Sequence, residues 1–345
     1  MSKKRVSVIG AGPAGLKAAA TLAANGIQVK LFERSNLTGG HLSQWHTLFP
    51  TLEPASDLIQ SLQSSLDHPN IELLSLKSIQ SMHSINGKWE IISTEGERFE
   101  SDAVLIATGF KLFEANRKEE YGYGMYPQVV TSADVEAIFN GQQNWPFQAE
   151  VTPLRIGLVH CVGSRDAKCG NRYCSKVCCV TAVKQAIGIK KKFPEAQVYC
   201  FYMDMRMFGV GYEELYHTAQ TKYNIQFIRG RLSEASPSEG SRVQVKAEDT
   251  LMGKPIKLIL NMLVLMVGME PSFQLRKQEN DFYFEQNSFG DGFMQPLDPW
   301  IGSNSYNQSG LFMAGACKGP SSLPEVIQDA KAASMEICNY LNTVL

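Results

Sequence analysis

The sequence predicts an α/β protein with two Rossmann-like dinucleotide-binding domains, the second inserted into the first. Three observations carry the prediction. A glycine fingerprint separates an apolar strand from an alanine-rich helix near the N-terminus. Val104 to Ile106 run as an apolar strand into Ala107-Thr108-Gly109. Gly310 to Gly315 read as a buried strand meeting a glycine turn, before a long helix from Leu323 to Tyr340. The expected boundaries are 1–150 with 296–345 for the outer domain and 151–295 for the insert.

Taken in order, Arg5 to Ile9 is a buried strand running into Gly10-Ala11-Gly12-Pro13-Ala14-Gly15. Gly10 permits the tight turn, Gly12 lets the backbone approach a pyrophosphate, and Gly15 allows helix and strand to pack closely. The helix N-terminus offers unpaired N–H groups. Ile27 to Phe32 reads as the second strand, closed by Glu33 and Arg34. A carboxylate at 33 is placed to accept from ribose hydroxyls, which favours the unphosphorylated ribose of FAD or NAD. The turn Gly39-Gly40-His41 favours FAD, with a plain surface turn as the competing reading. Ile71 to Phe99 alternates apolar and polar residues, has turns at Asn86-Gly87 and Glu95-Gly96, and is expected to be a β-meander. Ala107, Thr108 and Gly109 return the chain to the cofactor, and Gly315 and Pro324 close its site. Together these features resemble the glutathione and thioredoxin reductase class of flavoproteins over nearly the whole chain. That class usually ends its last strand in Gly-Asp. Here Gly315-Ala316-Cys317 stands instead, so the flavin tail falls to backbone groups or to Ser321 and Ser322.

Composition narrows the function classes. A net charge of -1 argues against a nucleic-acid partner, and 44% hydrophobic residues suffice for substantial cores. No run of 18 apolar residues occurs and the first strand begins at residue 5, so neither membrane insertion nor a secretion signal is expected. The cytoplasm is the expected compartment. There, cysteines serve metal ligation or catalysis more often than a disulfide framework. Ser233 to Ser241 is the most loop-like stretch.

The central region opens with a strand, Arg155 to His160, where a nicotinamide-binding domain would show a second glycine fingerprint. Cys161-Val-Gly163-Ser164-Arg165-Asp166 stands there instead, which argues against an ordinary nicotinamide site. A degenerate site using backbone groups and Arg165 is the alternative. Cys161, Cys169, Cys174, Cys178 and Cys179 fill the place, and the first 160 residues contain no cysteine. Thiolates suit iron-sulfur clusters, and a cubane needs four. Cys174 and Cys178 share a face if the helix has already started, and its dipole favours a negative cluster. Zinc would more often use two separated pairs, a dithiol reading would rest on a strained Cys178-Cys179 pair, and buried inert thiols remain a further alternative. Cys200, Cys317 and Cys338 read as inert core thiols.

The runs HCVGSRDAKCGNRYCSKVCCVTAVKQA, FYMDMRMFGVGYEELY, FIRGR and LVLMVGMEPS, with Tyr121 to Pro127 and Gly315 to Gly319, resemble the A-type flavoprotein component of heterodisulfide reductases from end to end of the flavin core. The resemblance implies FAD beside a [4Fe-4S] cluster on Cys161, Cys174, Cys178 and Cys179, with Cys169 a possible substitute, and a lysine, Lys184, near the flavin N5. It also implies partner subunits of the B and C type, a lipoate-carrying sulfur donor, and a homodimer. The chain lacks the ferredoxin-like CxxCxxCxxxCP runs of the methanogen proteins and offers Trp45 and His46 where many of them place a cysteine. It therefore looks most like the short A-type component of sulfur-oxidising heterodisulfide reductase-like complexes, with the A-type components of quinone-interacting oxidoreductases close behind. The expected role is electron transfer between flavin and cluster. An NADPH-dependent disulfide reductase and a non-catalytic flavoprotein scaffold are the readings from other classes. Phe201 to Tyr216 is expected either to meet a partner or to cover the cysteines, and Met203, Met205 and Met207 to alternate on a strand.

Overall fold

Val6, Val8 and Ile9 are almost wholly removed from water because Arg5–Ile9 is the central strand of a five-stranded parallel sheet. Gln28–Glu33 lies on one side with Ile71–Ser75 beyond it, and Ala103–Ile106 on the other with Leu311–Met313 beyond. The computed structural model describes residues 3–148, 153–278, 281–285 and 291–344. Six α-helices occur among the described residues: α1 (Pro13–Ala24), α2 (Ala55–Ser64), α3 (Ser132–Phe139), α4 (Cys178–Lys192), α5 (Tyr212–Thr221) and α6 (Leu323–Val344). Alanines on α1 and α6 let the two approach closely, and Ser334 of α6 reaches the Ala18 carbonyl of α1.

The chain divides into two compact units, residues 1–43, 55–111 and 270–345 in one and 44–54 and 112–269 in the other. Both rest on parallel sheets, the fold class expected from sequence. The division nevertheless falls away from the expected 150/151 and 295/296. Val129–Thr131 pairs with Leu263–Leu265 and so draws the preceding chain into the second unit. Asp281–Tyr283 pairs with the strand Ile79–Ile85 and so belongs to the first. Strand pairing, invisible in local pattern, sets both limits.

In the first unit an antiparallel sheet runs in the order Gln274–Gln278, Asp281–Glu285, Ile79–Ile85, Lys88–Ser93, Arg98–Ser101. The expected meander therefore begins at Ile79; Ile71–Ser75 is instead the half-covered edge of the parallel sheet. Trp89, Phe282, Met82 and Ile91 form the core between the two sheets, with Trp89 1% exposed and its Nε1 donating to the Ser309 carbonyl at 3.2 Å.

In the second unit the parallel sheet has the order Gln226–Arg229, Gln197–Tyr202, Arg155–Val162, Met262–Val267, Val129–Thr131. α3 is fixed at its start by a reciprocal cap between Thr131 and Asp134. Most of the stretch Ser233 to Ser241, expected as loop, belongs to Leu232–Ser238, the edge strand of a three-stranded antiparallel sheet, paired with Arg242–Asp249. Ser, Pro and Glu obscure it in the sequence, and Pro237 is tolerated because an edge strand has no partner on its outer side. The Met203, Met205, Met207 alternation is not a strand: the strand ends at Tyr202, and Met207 alone of the three is fully buried, in irregular chain.

Replacing Trp89 by Ala should cost about 3–5 kcal/mol, because the largest buried side chain of the first unit leaves a cavity. Chemical denaturation reads this directly, and an unchanged midpoint would contradict the packing described.

Candidate functional site

In the first unit the turn Gly10–Gly15 is built for a phosphate. Gly10 adopts φ +103°, and a Cβ there would lie 2.5 Å from the Ala107 carbonyl oxygen; a Cβ on Gly15 would lie 1.8 Å from that of Gly10. Gly12 is different: a Cβ there meets nothing within 4 Å. Gly12 also caps α1 without any side-chain hydrogen bond, so no side-chain cap takes the first-turn N–H groups. Pro13 occupies the first helical position, where its missing N–H costs nothing, and Ala14 is buried behind it. Open backbone donors at a positive helix end fit a dinucleotide pyrophosphate.

Glu33 ends the second strand and is 9% exposed. One of its oxygens accepts from the Ala11 N–H at 2.9 Å, the other from the Ser35 N–H and hydroxyl. Each carboxylate oxygen has two lone pairs, so capacity remains for a ribose hydroxyl. Gly40 packs against Gly12, where a Cβ would come within 3.3 Å of its Cα. His41 stacks on Phe110 at 4.3 Å and bonds its carbonyl through Nε2; burial lowers its pKa. Thr108 and Gly109 accept from the Ser272 hydroxyl through their carbonyls, and Arg34 lies over the Phe273 ring.

The missing Gly-Asp aspartate has a counterpart that sequence reasoning overlooked. Asp329 of α6 accepts from the Gly315 N–H at 2.7 Å and pairs with Lys318, fixing the turn Gly315–Lys318 from the helix side. The signal available was a carboxylate adjoining the apolar face Val326, Ala330, Ala333. Ser322 is engaged with Glu325 at the start of α6, on either side of Pro324, and Ser321 with the Gly319 carbonyl. Cys317 donates to two carbonyls and burial pushes its pKa up to about 12, as expected of an inert thiol.

In the second unit Cys161, Cys178 and Cys179 converge. Cys161 lies near the end of its strand at φ +60°, and Cys178 and Cys179 open α4, which starts four residues later than Cys174. The expected shared helical face of Cys174 and Cys178 is therefore absent; Cys174 precedes the helix, half-buried, and accepts from the Lys176 N–H. The Cys178 thiol lies beside both neighbours. Its hydrogen bonds lower the pKa of Cys161 and Cys179, aided at both by His160, and raise that of Cys178. Asp204, in the segment Phe201 to Tyr216, brings its carbonyl to 3.7 Å from Cys179 Sγ and its carboxylate to Arg165 at 2.6 Å. That segment thus covers the cysteines, while Phe208 and Val210 project into solvent. Among the described residues no three His, Cys, Asp or Glu side chains close on one metal ion. A thiolate cluster spreads its ligands around a larger volume, and three of its four expected sulfurs are adjacent here. Cys169 stands apart, its pKa raised by burial and by Asp166, and Cys200 is fully buried.

The loop between the cysteines is clamped from within. Lys118 bonds Asp166 at 2.8 Å with both side chains about 5% exposed or less, and Glu120 and Arg231 complete the cluster. Burial opposes the charge on Asp166, yet Lys118 outweighs it and the pKa falls to about 2. Lys184 is not a solvated helix lysine. It is buried on α4, donates to the Thr47 carbonyl at 2.9 Å and pairs with Glu136 at 2.7 Å; burial lowers its pKa against the pull of Glu136. Glu136 also accepts from Gln185 and from the His46 N–H.

The pyridine nucleotide-disulphide oxidoreductase family profile matches residues 4–336. Two relatives from methanogens are each 28% identical to the chain, over 97% of its length and 64% of theirs. One is the A component of the H(2)/formate:CoB-CoM heterodisulfide,ferredoxin reductase of Methanococcus maripaludis. The other is the iron-sulfur A component of the CoB--CoM heterodisulfide reductase of Methanocaldococcus jannaschii. The chain spans less than two thirds of the length of these relatives. Thioredoxin reductase of Lactococcus lactis has a TM-score of 0.66 at 18% identity, covering 99% of this chain and 100% of its own, a likeness of fold. The resemblance to the A-type components of heterodisulfide reductases and the expected fold class are both borne out. No helix among the described residues is long and apolar enough to cross a membrane.

Gly12→Ala should fold with unchanged Tm yet lose most bound FAD, whereas Gly15→Ala should lose roughly 3 kcal/mol or more through its backbone clash; equal FAD content in Gly12→Ala would contradict the assignment. Asp166→Asn should cost on the order of 3 kcal/mol at neutral pH. The folded pKa of Asp166 is depressed, so its stabilisation is present above the unfolded value of about 3.9 and vanishes as pH falls toward about 2, where variant and parent converge.

Proposed function

We propose that this chain, which belongs to the pyridine nucleotide-disulphide oxidoreductase family, is the FAD- and [4Fe-4S]-carrying electron-transfer component of a heterodisulfide reductase-like complex. One observation carries the reading: the first unit keeps an open, uncapped dinucleotide turn, while the second replaces the matching glycine turn with Cys161 and sets Cys178 and Cys179 beside it. Gly10 to Gly15, Glu33, Arg34, Gly40, His41, Ala107 to Gly109, Gly315 and Pro324 would hold FAD, and Cys161, Cys174, Cys178 and Cys179 the cluster. Bound there, FAD would supply two-electron and the cluster one-electron chemistry. The chain's own work is to hold both groups: donors at the N-terminus of α1 neutralise the pyrophosphate, and the N-terminus of α4 faces the thiolates. Lys184 is proposed to lie near the flavin N5, its ammonium held by Glu136.

The finer setting is also a proposal. It is a cytoplasmic sulfur-oxidising complex, with B- and C-type subunits performing the sulfur chemistry, a lipoate-bearing donor and a homodimer of this chain, as the resemblance of the cysteine-containing runs implies. A quinone-interacting complex would use the same two cofactors.

Purified without oxygen, the protein should contain near four irons, four sulfides and one FAD per chain, and give a reduced-cluster EPR signal that Cys178→Ala abolishes. One FAD without iron, from a preparation known to protect clusters, would return the cysteines to a dithiol or structural role.

A further inference from the structure

Beside the three converging cysteines lie buried polar atoms that no oxygen or nitrogen satisfies, with His160 facing the Cys179 thiol and Arg165 the Cys161 thiol. Both ring nitrogens of His160, the hydroxyl of Ser164 and Nη1 of Arg165 are buried without a hydrogen-bond partner; of five such side-chain atoms among the described residues, only Gln185 Oε1 lies elsewhere. His160 is 6% exposed and Ser164 1%. Leaving a buried donor or acceptor unpaired costs about 1–3 kcal/mol each. Four within six residues mark a place where a hydrogen-bond acceptor belongs.

The chemistry of the atoms identifies that acceptor. A guanidinium nitrogen only donates, an imidazole always has one N–H, and a hydroxyl rotates to donate, so the set fits an anion. Arg165 is oriented for this: its Nη2 is tied to Asp204 at 2.6 Å, leaving Nη1 turned inward. The backbone is bent to the same end, since Cys161 and Arg165 both adopt left-handed φ, +60° and +54°, that non-glycine residues rarely take. With the Asp204 carboxylate already taken by Nη2, the negative charge left for these donors is on the sulfurs of Cys161 and Cys179.

We propose that His160, Ser164 and Arg165 donate hydrogen bonds to the sulfur of the group bound at Cys161, Cys178 and Cys179, making that group easier to reduce. The proposal rests on the iron-sulfur reading above and adds to it residues that touch no iron. Reduction adds one electron to an already negative cluster, and N–H and O–H groups aimed at its sulfur stabilise the added charge more than the starting charge. They touch the sulfur of the group directly and act on its potential rather than on iron retention.

The test compares wild type, His160→Leu and His160→Gln, all purified without oxygen as the full chain. Iron is measured first, then the cluster midpoint by EPR-monitored titration, then exchangeable-proton couplings by ENDOR in H2O and D2O. His160→Leu should keep full iron, lose one exchangeable coupling, and show a tenfold lower ratio of reduced to oxidised cluster at fixed potential, which is about 59 mV for a one-electron couple. His160→Gln keeps an N–H donor and should recover both the coupling and most of the potential. Full iron in His160→Leu with an unchanged potential would overturn the proposal, as would loss of iron from both variants, which would make His160 a ligand or a prop. Absence of iron from the wild type would overturn the cluster reading itself, and the first measurement separates that failure from the others.

Discussion

The backbone approach at the first turn is the constraint on which the nucleotide unit depends. Where α1 leaves the strand Arg5–Ile9, the carbonyl of Gly10 occupies the space that a side chain at 15 would need. That contact sets how close the helix stands to the sheet, and so where its uncapped N–H groups point. The Ala107 carbonyl closes on Gly10 from the neighbouring strand, so two strand ends and a helix start share one small volume. Only Gly12 is left facing open space. The turn is thus a tight frame around a single gap, and the gap is where a ligand fits.

The second unit solves a different problem. It gathers sulfur, imidazole and guanidinium in a buried place, and it does so with a loop that has little regular structure. Asp166 and Lys118 hold that loop by a buried ion pair whose remaining bonds come from Arg231 and Glu120. Removing one partner would strand the other charge. Ion pairing here gives the loop one shape, and the cysteines inherit it.

Much of this was legible in the sequence, for physical reasons that differ by region. The strand-turn-helix at residues 5–24 was legible because its glycines are demanded locally, by φ and by contact distance. That Cys161, Cys178 and Cys179 would come together was legible because five cysteines fall between 161 and 179 in a chain with none before them. What escaped depends on partners distant in sequence. Ile71–Ser75 and residues 232–238 have the composition of a meander edge and a loop, and pairing alone decides their fate. Asp329 replaces an aspartate expected 13 residues earlier in the chain, from a helix that folds back onto the turn. The start of α4 at Cys178 could not be read from spacing, because helix and loop both accommodate the run Cys174 to Cys179.

Glu136 joins three segments: it receives Lys184 and Gln185 from α4 and the His46 N–H from the strap 44–54, while itself belonging to α3. Such a junction constrains the routes by which descendants of this chain can diverge. Losing Lys184 alone leaves a buried carboxylate uncompensated, and losing Glu136 alone leaves a buried ammonium, so neither single step is open. Relatives that lack one of the pair should have changed both, or should carry a replacement cation arriving from the strap, and the order of those changes would be written as covariation between positions 46, 136, 184 and 185.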